Sequence, residues 1–237
     1  IAAGEEGYGY MVGDFVRDGP GHECARALKH HQSAIELALP LAASDAPSTR
    51  RAAKRLLIDA HLAIAHDVAR GNWKEKPQTV TKWFDRAQAL VNQFVASEGP
   101  DDSLSFDVAC ARLEAYAWLD GAVDPAPAIS KARKLAQEIL PGALDATYRR
   151  HITWELSKAL VNAADVERSR RNPVQALTHG KAAEQILDRL TATPWNTGRT
   201  HFQSSRLSFL MGSIHAVQLK NHTSAVVWFE KALDDVS

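Results

Sequence analysis

Ten histidines, two cysteines and a scatter of carboxylates are the side chains of this sequence that could do chemistry. Their spacing argues against most of it. His22 and Cys24 stand two apart and His30 and His31 are adjacent, so on a helix the members of each pair diverge. His61 and His66 are five apart, whereas a helical zinc pair uses a spacing of four. Cys24 and Cys110 match no metal or redox pattern and read as small buried hydrophobes. There is no Gly-x-Ser-x-Gly nucleophile turn, and Gly7-Tyr8-Gly9 is too isolated for a phosphate loop. Asp59, Asp67, Glu114 and Asp120 sit in helical patterns and read as solvated faces. The expectation is no catalytic residue, no metal and no cofactor.

Charge narrows the partners. Arg50-Arg51 is followed one turn later by Lys54-Arg55, and further doublets occur at Arg149-Arg150 and Arg170-Arg171. A helix carrying the first four could meet phosphates. Arg170 and Arg171 fall at a helix C-terminus, where cations complement the dipole; Arg50 and Arg51 fall near an N-terminus, where they do not. The formal net charge is zero, so no global field draws the chain to nucleic acid. The longest apolar run, near Leu37 to Ala43, is broken by Pro40 and is far short of the ~18 residues that cross a bilayer. Nucleic acid and membrane are therefore not expected as partners. The chain opens at Ile1 and stops about one turn after a strong helical pattern, which reads as a piece of a longer polypeptide. The compartment is left open, with the cytoplasm favoured.

The elements that would carry these side chains are all helical. In Asn221 to Leu233, Ala225, Phe229 and Ala232 fall on one stripe, and Gly212 lies mid-pattern in the segment before it. A small residue mid-helix, then a turn, then small-large-small, describes two closely packed helices. Upstream, Val80-Phe84-Ala87, Ala176-Gly180-Ala183, Ala27-His31-Ala34 and Ala128-Ala132-Leu135 fill the same slots. The second-helix anchors are spaced by 53, 48, 48 and 49 residues. The first-helix anchors Gly13, Ala63, Ala115, Ala163 and Gly212 are spaced by 50, 52, 48 and 49. Two columns with nearly one period predict a repeat of helix pairs. The fold expected is all-α, a solenoid of about five antiparallel pairs with a period of about 48 residues. It forms one domain over 1–237, with repeats near 6–43, 49–97, 102–140, 143–192 and 199–237. Trp83 and Trp228 read as packing residues at equivalent sites, and Trp73 and Trp195 as turn residues open to a partner.

The pattern resembles the tetratricopeptide family of helical repeats. Leu210-Met211-Gly212 matches that family's Leu-Gly element, and Ala225, Phe229 and Ala232 match its Ala, aromatic and Ala positions. Repeat two keeps the aromatic and the final Ala (Phe84, Ala87); repeats three and four keep the small residues. The family's usual period is about 34, and HEAT-like pairs with periods of ~40–47 are the structural runner-up. The resemblance implies a right-handed superhelix whose first helices line a concave groove for a peptide or partner protein. Carried onto this sequence, the groove takes Tyr10, Asp14, Arg112, Tyr116, Glu167, Arg206, Phe209 and Ser213. Arg17, Asp67, Asp120 and Arg168 stand one turn further along. The alternatives are self-association as part of a larger protein, or an all-helical small-molecule-binding or enzymatic domain.

Overall fold

A computed structural model describes residues 23–71, 73–193 and 197–235. The expected first helix at 6–18, with Tyr10, Gly13, Asp14 and Arg17, lies outside the described residues, as does Trp195. Among the described residues there are nine α-helices and no strand. They are α1 (Glu23–Leu41), α2 (Pro47–Arg70), α3 (Lys76–Glu98), α4 (Asp102–Tyr116), α5 (Ala126–Gly142), α6 (Ala146–Ser169), α7 (Pro173–Thr191), α8 (Thr197–Ser213) and α9 (His222–Asp234). The chain divides into two compact units, up to Leu119 and from Asp120.

In the first unit α2 is the centre, packed against α1, α3 and α4. Its second half, from Leu57 to Ala69, is apolar nearly all round and is buried nearly all round. By contrast α3 buries a single stripe, Val80, Phe84, Ala87, Val91 and Phe94, at helical spacing. Full burial of Phe84 and Phe94 contributes roughly 1.5–3 kcal/mol each. The start of α3 lies three residues before the expected cap at Thr79, because Pro77 fits the first helical turn. The end of α4 is Tyr116 rather than Leu119. There Trp118 and Leu119 bond back only three residues, and Asp120 and Gly121 turn left-handed at φ 50° and 77°. Any Cβ at Gly121 would lie 2.8 Å from the Arg170 nitrogen, so only glycine fits.

In the second unit α6 packs on α5 and α7, α7 on α8, and α8 on α9. Side-chain oxygens cap the helices where the sequence places Asp or Asn. Asp124 accepts from the Ala126 amide (3.0 Å), Asp145 from Thr147 (2.8 Å) and Asn221 from Ser224 (3.1 Å). On α5 the third buried small residue is Ala136 rather than the expected Leu135, a correction of one position. The segment expected to continue α8 to Lys220 becomes a π-helix over Ile214–Gln218. Gln218 Nε2, at its end, donates to the Arg168 carbonyl at 2.6 Å.

The small-residue columns are buried at every described position: Ala63, Ala115, Ala163 and Gly212 in one, Ala27, Val80, Ala128, Ala176 and Ala225 in the other. Gly212 shows why. A Cβ there would lie 2.6 Å from the Phe229 ring, so the large member of small-large-small fills the gap that glycine leaves. Trp83 and Trp228 are only half-buried, each with a cation over its ring: Arg86 at 4.8 Å and Lys231 at 5.4 Å.

Candidate functional site

The groove residues fall into separate groups. In the first unit Arg112 and Tyr116 stand one turn apart on α4 and meet over Phe84. Arg112 Nη2 donates to Asp85 Oδ1 at 3.0 Å, and its guanidinium lies 5.3 Å over the Phe84 ring. Tyr116 meets that ring edge-on at 6.4 Å and is only 4% exposed, so it packs rather than presents a surface. Asp67 is also buried, on α2.

In the second unit one face of α8 is open. Phe202, Arg206, Phe209 and Ser213 recur at helical spacing, and Phe202 and Phe209 are 67% and 62% exposed. Arg206 is held between them. Its Nη2 donates to Asn162 Oδ1 of α6 at 2.8 Å and lies 3.9 Å from Asp165. Asp165 also takes Arg168 at 2.8 Å. Phe209 leans on Phe229, with ring centroids 5.5 Å apart. The Ser213 hydroxyl donates back to the Phe209 carbonyl at 2.9 Å. Three sequence-derived groove residues are thus brought together, and Asn162, Asp165 and Phe202 join them. Glu167 does not. It lines a cleft of about 670 Å³ with residues of α5 and α7.

The basic quartet of α2 has a structural use. Arg50 Nε and Lys54 Nζ both donate to Glu98 Oε1, at 3.0 and 2.6 Å, and Arg51 donates to the Glu98 carbonyl at 2.9 Å. Arg55 donates to Asp101 at 2.8 Å. Arg50, Arg51 and Lys54 bind the C-terminal end of α3, where the dipole welcomes them, while Arg55 ties to Asp101 at the start of α4. Lys54, then Arg50, holds the Glu98 carboxyl below its ordinary pKa. This is the account that the position of Arg50 and Arg51 on their own helix did not supply.

Cys24, His31 and Asp67 place a thiol, an imidazole and a carboxylate in one buried region, with His31 Nε2 3.5 Å from Asp67 Oδ2. Burial, and secondarily the Asp67 charge, raises the Cys24 pKa. The protonated thiol is a poor nucleophile. Cys110 is buried as well. Among the described residues no group of three His, Cys, Asp or Glu side chains could hold a metal ion. No described helix is long and apolar enough to cross a membrane.

Sequence reasoning missed the cleft, and in particular Arg133 and His179. Each sits one position from a small anchor, Ala132 and Gly180. A polar residue beside a small stripe was the available signal. Comparison with family models, with curated proteins and with solved structures finds no match.

Proposed function

We propose that this chain is a non-catalytic protein-binding module of the tetratricopeptide-like kind, a superhelix of helix pairs that holds an extended peptide or a partner helix along its first helices. The observation that supports this reading is the open α8 face. Two phenylalanines stand in solvent on either side of an arginine whose direction is fixed by Asn162 and Asp165. Aromatic and arginine side chains are the commonest anchors of protein interfaces. A pre-positioned arginine also loses less freedom on binding than a mobile one. Mixed charge beside the aromatics, with Asp165 and Arg168 near, suits a polar peptide carrying apolar anchors.

The test is selection of peptides from a displayed library, followed by equilibrium titration. Phe209→Ala or Arg206→Ala should each weaken the selected peptides roughly tenfold or more. Val174→Ala, exposed on α7, should leave affinity unchanged. Peptides that bind all three variants alike would reject the α8 face.

Self-association is favoured by a different observation, the exposure of Val226, Val227 and Leu233 on α9. It predicts a concentration-dependent mass in light scattering that Val226→Lys abolishes.

A further inference from the structure

The cleft bounded by α5, the end of α6, the following turn and α7 is lined by Ile129, Arg133, Lys134, Glu167, Arg170 and His179 among others. Two of these carry a buried polar atom that makes no hydrogen bond, and a third is a cation without an ion pair among the described residues. Glu167 is only 4% exposed and its Oε2 makes no hydrogen bond; the nearest cation is Arg170 Nε at 3.7 Å. His179 is 7% exposed and its Nδ1 makes none either. Arg133 is half-buried and has neither an ion pair nor a hydrogen bond among the described residues. Burial, and secondarily the Arg133 charge, lowers the His179 pKa, which favours a neutral ring.

Buried polar atoms in folded proteins are nearly always hydrogen-bonded. Two such atoms beside an unpaired guanidinium, in one cleft, ask for a ligand that supplies both kinds of partner. A guanidinium is matched by a planar acid group, which it can hold through two parallel hydrogen bonds. A buried carboxylate oxygen is matched by an ammonium or hydroxyl donor. The lining carries Arg133, Lys134 and Arg170 against Asp124 and Glu167, one net positive charge. That balance suits a monoanion or a zwitterion, and Glu167 would repel a dianion such as phosphate.

We propose that this cleft binds a small organic acid with an amine or hydroxyl close to the acid group, the amino- or hydroxy-acid class, with Arg133 holding the acid and Glu167 accepting from the donor. The cleft volume leaves room for a short peptide of the same chemistry. The site is separate from the α8 face, so either reading can fail alone.

The test is isothermal titration of the whole chain with L-serine, L-leucine, L-lactate and trialanine. Leucine amide, N-acetylleucine and inorganic phosphate serve as controls. At least one of the first four should bind with Kd below about 10 mM. Arg133→Ala should weaken that ligand roughly tenfold or more. Glu167→Gln should weaken the amine ligands while leaving N-acetylleucine as poor as before. Phe209→Ala, outside the cleft lining, should leave the affinity for these small ligands unaltered, whatever it does to peptides selected on the α8 face. Circular dichroism confirms that each variant is folded, and Arg133→Lys, which keeps the charge, should retain part of the affinity. Binding by none of the four, binding indifferent to Arg133→Ala, or phosphate binding as tightly as the amino acids would each overturn the proposal.

Discussion

Asp67 in the first unit and Glu167 in the second hold the same place in the repeat, four residues after the small anchors Ala63 and Ala163. Both carboxylates are buried. In the first unit the helix packed alongside brings His31, four residues after its own anchor Ala27, to within 3.5 Å of Asp67. In the second unit the corresponding residue is Ala132, four after Ala128, which has no group to offer. Glu167 keeps only a long contact to Arg170 and faces a cleft. One slot in one architecture thus meets an imidazole of the neighbouring helix at 3.5 Å in one unit, and in the other a guanidinium just past its own helix at 3.7 Å, beside a cleft. The residue on the neighbouring helix decides which.

The largest effect should come from undoing the tie. His31→Ala removes the imidazole from a carboxylate that is 3% exposed, and breaking a buried pair from one side costs about 3–5 kcal/mol. Urea unfolding would measure it, and the double variant with Asp67→Ala should recover part of the loss. A cost below about 1 kcal/mol would mean that the pair ties nothing. Next come the small columns, where the two units should behave alike. Ala63→Leu and Ala163→Leu should each cost about 1–3 kcal/mol by overpacking, and Ala192→Leu, on the surface, close to none. Thermal melts that rank all three equally would remove the close-packed seam from both units. Glu167→Gln should shift stability by less than about 1 kcal/mol, since no close partner is lost. A loss as large as that of His31→Ala would show that the two carboxylates are held alike.

The smallest effect concerns the basic doublets, which also differ between the units. Arg50 and Arg51 are clamped to α3, whereas Arg149 and Arg150, near the same place in the repeat, are exposed. The depressed Glu98 pKa means that its clamp contributes above the ordinary carboxylate range and is lost as pH falls through the folded value. Glu98→Gln should therefore lower Tm at neutral pH, with the gap closing in acid. Arg150→Gln should leave Tm unchanged at either pH. A gap that persists in acid would assign the loss to packing.

What was legible in the sequence is what repeats locally. Asn172-Pro173 and Asp124-Pro125 marked helix starts within a residue of where they occur, and the small columns marked the buried faces. The α8 face was legible because Arg206, Phe209 and Ser213 keep their spacing along one helix. What was illegible depends on residues distant in sequence. Glu98 lies 44 residues from Lys54, and no pattern on α2 announces it. Tyr116 followed the same spacing rule as Ser213, yet Phe84 covers it. Helical spacing gives a face its direction, and only the neighbouring helix says whether that face is covered.

The π segment at Ile214–Gln218 takes one more residue per turn-closing bond than the helix it extends. Each residue of an α-helix advances by about 100°, so the surplus residue re-phases everything after it. Angular timing, then, rather than the glutamine alone, delivers Gln218 to the Arg168 carbonyl. Excising Ala216 should turn that amide away from its acceptor and swing the entry to α9 with it, a deeper lesion than replacing Gln218 itself.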